Sequence, residues 1–183
     1  MGARLDQHFL IDEGVRDAIV AAARIEPGDR LIEIGPGRGF LTRALLACAR
    51  EVTAVELDDW YAESAPDRLQ SPPNLRLIHA DFLKMDLSVL GEGPFKFVAN
   101  LPYSVATPIL QKILDWPRWT SAVLMFQKEV AERVAAAPGS GRYGLLALSV
   151  RLKAEAELVV EAPRQCFSPP PKVSSAVVRL VRL

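Results

Sequence analysis

Short apolar runs alternate along this chain with stretches of helical spacing. "DRLIEIG" (29–35) reads as a first strand, followed by a glycine cluster and then by helical spacing in "GFLTRALLACA" (39–49). "EVTAVELD" (51–58), "NLRLIHADF" (74–82), "FKFVANLP" (95–102) and "SAVLMFQ" (121–127) read as four further strands. "KEVAERVAAA" (128–137) has helical spacing, with Glu129 and Arg133 at i,i+4. "LLALSVRL" is a further apolar segment, "AELVVEA" a strand, and "SSAVVRLVRL" (174–183) the last strand. Gly, Pro and Ser punctuate the joints at "SPPN", "GEGP", "PGSGRYG" and "FSPPPK". Strands alternating with helices predict an α/β fold around a largely parallel sheet. Neither a repeat nor an interdomain linker is visible, so 1–183 reads as one domain, with 1–28 as an N-terminal arm and helix.

Polar residues stand where the first four strands end: Gly35, Glu56, Asp81 and Asn100. A parallel sheet brings those positions to one edge, where open α/β sheets bind ligands. The glycines run Gly35, Gly37, Gly39, a G-x-G-x-G spacing. The dinucleotide fingerprint needs G-x-G-x-x-G, and Phe40 stands where its third glycine would fall. No Gly-Lys-Ser/Thr follows, so a Walker A loop is absent, and NAD and ATP are both disfavoured. Glu56, 17 residues past Gly39, can accept hydrogen bonds from both hydroxyls of a ribose. Asp81 can bond an adenine amino group while Phe82 packs on the ring. The set fits an adenosine-bearing ligand without phosphates, and S-adenosylmethionine is such a ligand.

Asn100-Leu101-Pro102-Tyr103 follows the fourth strand. Asn and Pro are ordinary turn residues, so a plain strand–turn–helix joint is one reading. The chemical reading is a pocket for a flat ring bearing an amine. The Asn100 side-chain carbonyl and the Leu101 backbone carbonyl would each accept one N–H, freeing the nitrogen lone pair for attack. Against an already activated methyl donor, orientation matters more than a strong base. Pro102 stiffens the turn. Tyr103 can stack on the base, a contact worth roughly 1–3 kcal/mol. A base inside a duplex would first be flipped out.

Composition narrows the classes. Half of the 183 residues are hydrophobic and 24% are charged, as in a soluble globular domain. No apolar run is long enough for a membrane span, and "MGARLDQHFLID" lacks a signal-peptide core, so a cytoplasmic protein without a membrane partner is expected. Two cysteines (Cys48, Cys166) and two histidines (His8, His79) make neither a disulfide framework nor a zinc site. The net charge is zero, which weighs against a strongly basic nucleic-acid binder, yet 164–183 carries Arg164, Lys172, Arg179 and Arg182 with no acid.

Taken in order, "DQHFLID", "EIGPGRGFLT", "AVELD", "ANLPYSVATPIL", "MFQKEVAERV", "PGSGRYGLL" and "CFSPPPKVSSAVVRL" resemble the KsgA-type small-subunit rRNA adenine N6,N6-dimethyltransferases, over about Leu5 to Leu183. The resemblance implies a Rossmann-like class I S-adenosylmethionine-dependent methyltransferase. It implies a mostly parallel seven-stranded sheet, antiparallel at the last strand, with helices on both faces. It implies S-adenosylmethionine as cofactor, with S-adenosylhomocysteine as product, and two adjacent adenosines near the 3′ end of small-subunit rRNA as substrate. The partner would be the immature small ribosomal subunit and the enzyme a monomer. Cofactor positions carry over onto Gln7, His8, Leu10, Gly35, Gly37, Glu56, Leu57, Asp81, Phe82 and Asn100, and the catalytic loop onto Asn100 to Tyr103. Phe167 matches the aromatic on the target base's other face. Its own sequence context is a stiff "SPPP" arm that would hold the ring against Tyr103 across a cleft, with Lys172 near a phosphate. Without the resemblance, a core plug is the lesser reading of Phe167, and an arm docking Phe9 and Leu10 on the sheet is the plain reading of the N-terminus.

Three departures stand out. His8 occupies a position where many relatives carry Asn, and Ser104 one where Asn or His is usual. The family normally continues into a small helical C-terminal domain, and this sequence stops where that domain would begin. Two other readings share the fold: a large-subunit rRNA adenine methyltransferase of the macrolide-resistance type, and a non-catalytic nucleic-acid-binding protein.

Overall fold

A computed structural model describes residues 7–183. The first six residues of the expected N-terminal arm lie outside the described residues. The sheet has seven strands in the order β4-β3-β2-β5-β6-β9-β7. These are β2 (Arg30–Ile34), β3 (Glu51–Glu56), β4 (Leu75–His79), β5 (Phe95–Asn100), β6 (Trp119–Gln127), β7 (Ala154–Ala162) and β9 (Ser175–Arg182). β9 pairs antiparallel with both β6 and β7, while every other pairing in the sheet is parallel. The expected mostly parallel sheet with its antiparallel last strand is therefore present. A second, two-stranded sheet was not foreseen. It joins β1 (Phe9–Leu10) to β8 (Phe167–Ser168), pairing Leu10 with Phe167.

Period-2 alternation divides the core into two layers. Ile32, Ile34, Phe97, Ala99, Leu124 and Phe126 face one layer. Leu31, Val98, Val123 and Met125, one residue out of phase, face the other. Helices α1 (Glu13–Ala23) and α2 (Phe40–Leu46) cover the second layer through Val15, Ile19, Leu41 and Leu45. Helices α4 (Ala106–Asp115), α5 (Lys128–Val134) and α6 (Leu145–Arg151) cover the first through Ile109, Leu110, Ile113, Ala131 and Val150. Helix α3 (Asp59–Leu69) packs against β3 and β4.

Helices α3 and α4 went unrecognised in the sequence. α3 carries Pro66 inside it, which hides the helical pattern, and α4 has Pro108 in its first turn. The segment "LLALSVRL" is α6, whose Leu145 and Leu148 are exposed while Ala147 and Val150 are buried. The Glu129–Arg133 pair does not form an ion pair among the described residues; Glu132 instead pairs with Arg142 at 2.8 Å. The chain runs outward from β2 through β3 to β4, then returns to β5 on the other side of β2. That reversal opens a crevice at the carboxyl ends of β2 and β5.

Candidate functional site

A cavity occupies this crevice. Gly35 and Gly37 line it from the loop after β2, Glu56 and Leu57 from the end of β3, and Asp81 and Phe82 from beyond β4. Asn100, Leu101, Pro102 and Tyr103 line it from beyond β5, and Gln7 and His8 close it from the N-terminal arm. The four strand-end residues picked out in the sequence thus meet in one space. Two expected site residues lie elsewhere. Leu10 is buried and lines a smaller adjoining cavity with Glu33 and Asn100. Phe167, expected across the cleft from Tyr103, is only 2% exposed and belongs to the apolar cluster of Leu10, Cys166 and Val177. Its pairing with Leu10, reinforced by the Ile11 amide donating to the Cys166 carbonyl at 2.8 Å, draws the ring into the core. The proline segment behind it does not hold it in the cleft.

Glu56 organises the glycine loop. The Gly37 amide donates to its Oε2 at 3.0 Å and the Asp58 amide to its Oε1 at 2.9 Å. Each oxygen keeps a further lone pair for a ligand hydroxyl. Gly35 and Gly37 have φ of +68° and +51°, a region that favours glycine. Among the described residues a Cβ built on Gly35 would meet nothing within 4 Å, so the backbone there borders the cavity. A Cβ on Gly37 would stand 2.8 Å from the Phe9 ring. The Asp81 carboxylate accepts from the Leu83 amide at 2.9 Å through Oδ1, while Lys84 is 3.7 Å from Oδ2. Phe82, 4% exposed, stands edge-on to Phe97. An acceptor for a ribose, an acceptor for an adenine amine and an open glycine cradle fit S-adenosylmethionine.

The opposite wall is held by distant segments. The Asn100 Nδ2 donates to the His8 carbonyl at 3.2 Å. With its amine end so engaged, the amide directs its Oδ1 away from the arm. The His8 ring lies 5.6 Å from that of Tyr103 at an interplanar angle of 28°, and its Nδ1 is 2.9 Å from the Pro169 carbonyl oxygen. The Tyr103 hydroxyl is 2.6 Å from Ser175 Oγ. Burial pushes the Tyr103 phenol above its ordinary value, with the Ser175 bond opposing, so the ring stays neutral and protonated at physiological pH.

Between the two walls lies Glu33, 2% exposed. Burial pushes its carboxyl up to about 8, and the nearby Glu56 charge adds to this. The Thr42 hydroxyl beside it opposes the rise, although its geometry falls short of a hydrogen bond, and Glu33 Oε2 and Thr42 Oγ1 are both buried without a partner among the described residues. Sequence reasoning passed over Glu33 as one more strand residue.

It also missed Arg68. This side chain donates to the Gly37 carbonyl at 2.9 Å and to the Tyr61 carbonyl at 3.0 Å, pinning the glycine loop to α3. Its partner at Gly37 is 31 residues away, so no local spacing could announce it. Arg38 lies 4.3 Å from the centroid of Phe9 and ties the arm to the same loop.

Fold and crevice together define a Rossmann-like domain of the class I methyltransferase type. Residues 2–183 match the family described as ribosomal RNA adenine dimethylase, and the chain belongs to that family. It is 47% identical to the ribosomal RNA small subunit methyltransferase A of Phenylobacterium zucineum over 95% of this chain and 62% of that protein. It is 46% identical to the enzyme of the same name from Dehalococcoides mccartyi over 97% of this chain and 61% of that one. The chain thus spans about three fifths of the length of these relatives. Among solved structures it resembles a dimethyladenosine transferase from Plasmodium falciparum, with a TM-score of 0.87 and 34% identity over 96% of this chain and 64% of that one. It resembles the 23S rRNA methyltransferase ErmE with the same TM-score and identity, over 96% of this chain and 70% of that one.

Proposed function

We propose that this chain is the catalytic domain of an S-adenosylmethionine-dependent enzyme that dimethylates N6 of adenosines in small-subunit rRNA. The observation that carries this reading is the one cavity that Gly35, Gly37, Glu56 and Asp81 share with the Asn100–Tyr103 loop. Gly35, Gly37, Glu56 and Asp81 would hold the cofactor, which when bound supplies an activated methyl group. The residues of the chain do the rest by orientation. Asn100 Oδ1 and the Leu101 carbonyl accept the two N–H bonds of the target amine and steer its lone pair. Pro102 stiffens the turn, and Tyr103 stacks on the base. A base drawn from paired RNA is flipped out first.

The substrate would be two adjacent adenosines near the 3′ end of the rRNA, in immature small subunits in the cytoplasm, with the enzyme acting as a monomer. Among the described residues no helix is long and apolar enough to cross a membrane. The fold resembles the P. falciparum transferase and ErmE equally. The choice of the small subunit is therefore supported by the sequence relatives, at 46–47% identity. Labelled-methyl transfer from S-adenosylmethionine to purified immature small subunits, naked rRNA and large subunits tests the reading. Transfer to the small-subunit particle is expected. Transfer to large-subunit RNA alone would favour the macrolide-resistance type. Absence of S-adenosylmethionine binding in calorimetry would favour a non-catalytic nucleic-acid binder.

A further inference from the structure

Tyr103 sits on a three-residue 3-10 turn, Tyr103–Val105, in which no residue is buried. Its ring is nevertheless held at two points. His8 lies against one face at 5.6 Å, so a base stacked on Tyr103 takes the other. The hydroxyl, 72 residues away in sequence, meets Ser175 Oγ at 2.6 Å. Ser175 is wholly buried and opens β9, where it pairs with Gln127 of β6 and Ala162 of β7. The neighbouring Ser174 carbonyl accepts from the Lys128 amide at 2.9 Å. The anchor is thus fixed by strands on both sides, while the residue it anchors stands on a short, half-buried turn.

We propose that Ser175 is a positioning residue for methyl transfer: its hydroxyl fixes the Tyr103 ring against which the target adenine stacks, a role that rests on the adenine-methylation reading above. Ser175 is absent from the cavity wall, so it touches neither cofactor nor base and acts through Tyr103. A ring free to turn would have to be ordered each time a base arrives. A ring already bonded to the sheet presents its face without that cost. Among the described residues the Ser175 side chain bonds only to Tyr103, so the pair is a self-contained unit that two substitutions can dissect.

The test is a double-mutant cycle on the whole chain with Ser175→Ala, Tyr103→Phe and the double variant. Methyl transfer to immature small subunits is measured at saturating S-adenosylmethionine, alongside thermal midpoints and, for Ser175→Ala, cofactor affinity. Each single substitution should lower kcat about tenfold, the effect of one lost hydrogen bond at the strong end of the neutral range. Cofactor affinity of Ser175→Ala should be unchanged, and the double variant should be no slower than the slower single. Wild-type kcat in Ser175→Ala overturns the proposal. So does a full further loss when Ser175→Ala is added to Tyr103→Phe, because the serine would then act through β9 and not through the ring. Should the wild-type chain transfer no methyl group to any rRNA, the adenine reading fails by itself. A 2-aminopurine-substituted RNA then decides about Ser175. Equal loss of stacking quench in both single variants supports the anchor, and undiminished quench in Ser175→Ala removes it.

Discussion

The two walls of the cavity are built in different ways. On the glycine-loop wall Arg68 reaches 31 residues to the Gly37 carbonyl, but the bonds to the carboxylates are short in sequence: Asp58 to Glu56 and Leu83 to Asp81 span two residues each, and Gly37 to Glu56 spans 19. Each is a backbone amide donating to a carboxylate at or just past a strand end, so local turns set two of them and the parallel pairing of β2 with β3 sets the third. On the Asn100–Tyr103 wall the bonds span 92, 72 and 161 residues, from Asn100 to His8, Tyr103 to Ser175 and His8 to Pro169. That wall exists only once the N-terminal arm, the loop after β5 and the proline segment have docked on one another. Separation of this kind suits separate tasks, with one wall holding a cofactor and the other aiming a base.

The two walls should part most clearly in Asn100→Ala. It removes the proposed amine acceptor and the arm's bond at His8. Methyl transfer should fall by at least about 10²-fold, the size of effect seen when one preorganised polar contact at a reacting centre is lost. Cofactor affinity, measured by calorimetry, should fall only modestly. Turnover near wild type in this variant would sink the mechanism.

Glu33 lies at the seam and gives a pH-dependent test. Its carboxyl is raised from an ordinary 4.5 to about 8 in the folded chain. The folded state therefore keeps a proton that the unfolded state sheds, and stability falls as pH rises from about 4.5 to about 8, then levels off. Glu33→Gln removes this ionisation. The midpoint difference, variant minus wild type, should grow across that window by roughly a few kcal/mol in stability at most, at about 2–4 °C per kcal/mol. A difference that stays constant between pH 5 and 8 would show that Glu33 titrates normally.

Glu56→Ala attacks the glycine-loop wall alone. It strips the acceptor from the Gly37 and Asp58 amides, and with it the proposed acceptor for a cofactor's ribose hydroxyls. Cofactor affinity should drop roughly 10- to 100-fold, in line with about 1.5–3 kcal/mol for a hydrogen bond to a charged group. With saturating cofactor the loss in kcat should be much smaller than in Asn100→Ala. A pure kcat defect with intact affinity would contradict the division of labour.

The same contrast explains what could be read from the sequence. Gly35, Glu56, Asp81 and Asn100 were legible because strand endings are marked by local pattern, and parallel topology then fixes where they meet. The seven strands and the antiparallel β9 followed from apolar runs and family resemblance. Phe167 was misplaced because its position depends on a two-residue pairing with Leu10, 157 positions away in the chain, and the rigid "SPPP" context pointed outward. Ser175, Arg68 and the His8 carbonyl were invisible for a similar reason: their partners lie 31 to 92 residues off and are chosen by tertiary docking. The burial that shifts Glu33 was equally hidden, since an acid next to "IGPG" looks the same whether it faces water or core.

The mildest test compares two glycines that differ in what stands beside them. Gly35→Ala and Gly37→Ala both place a side chain at positive φ, costing roughly 1–2 kcal/mol of left-handed backbone strain. At Gly35 the new Cβ meets nothing and only narrows the space left for a cofactor. At Gly37 it would stand 2.8 Å from the Phe9 ring, which must move. Phe9 follows His8, whose carbonyl holds Asn100. A displaced Phe9 therefore carries the disturbance to the opposite wall. Both variants should lose thermal stability and cofactor affinity, and kcat at saturating cofactor should fall further in Gly37→Ala than in Gly35→Ala. Equal kcat in the two would mean that the arm gives way at Phe9 without moving His8, and that the walls are independent even where they touch.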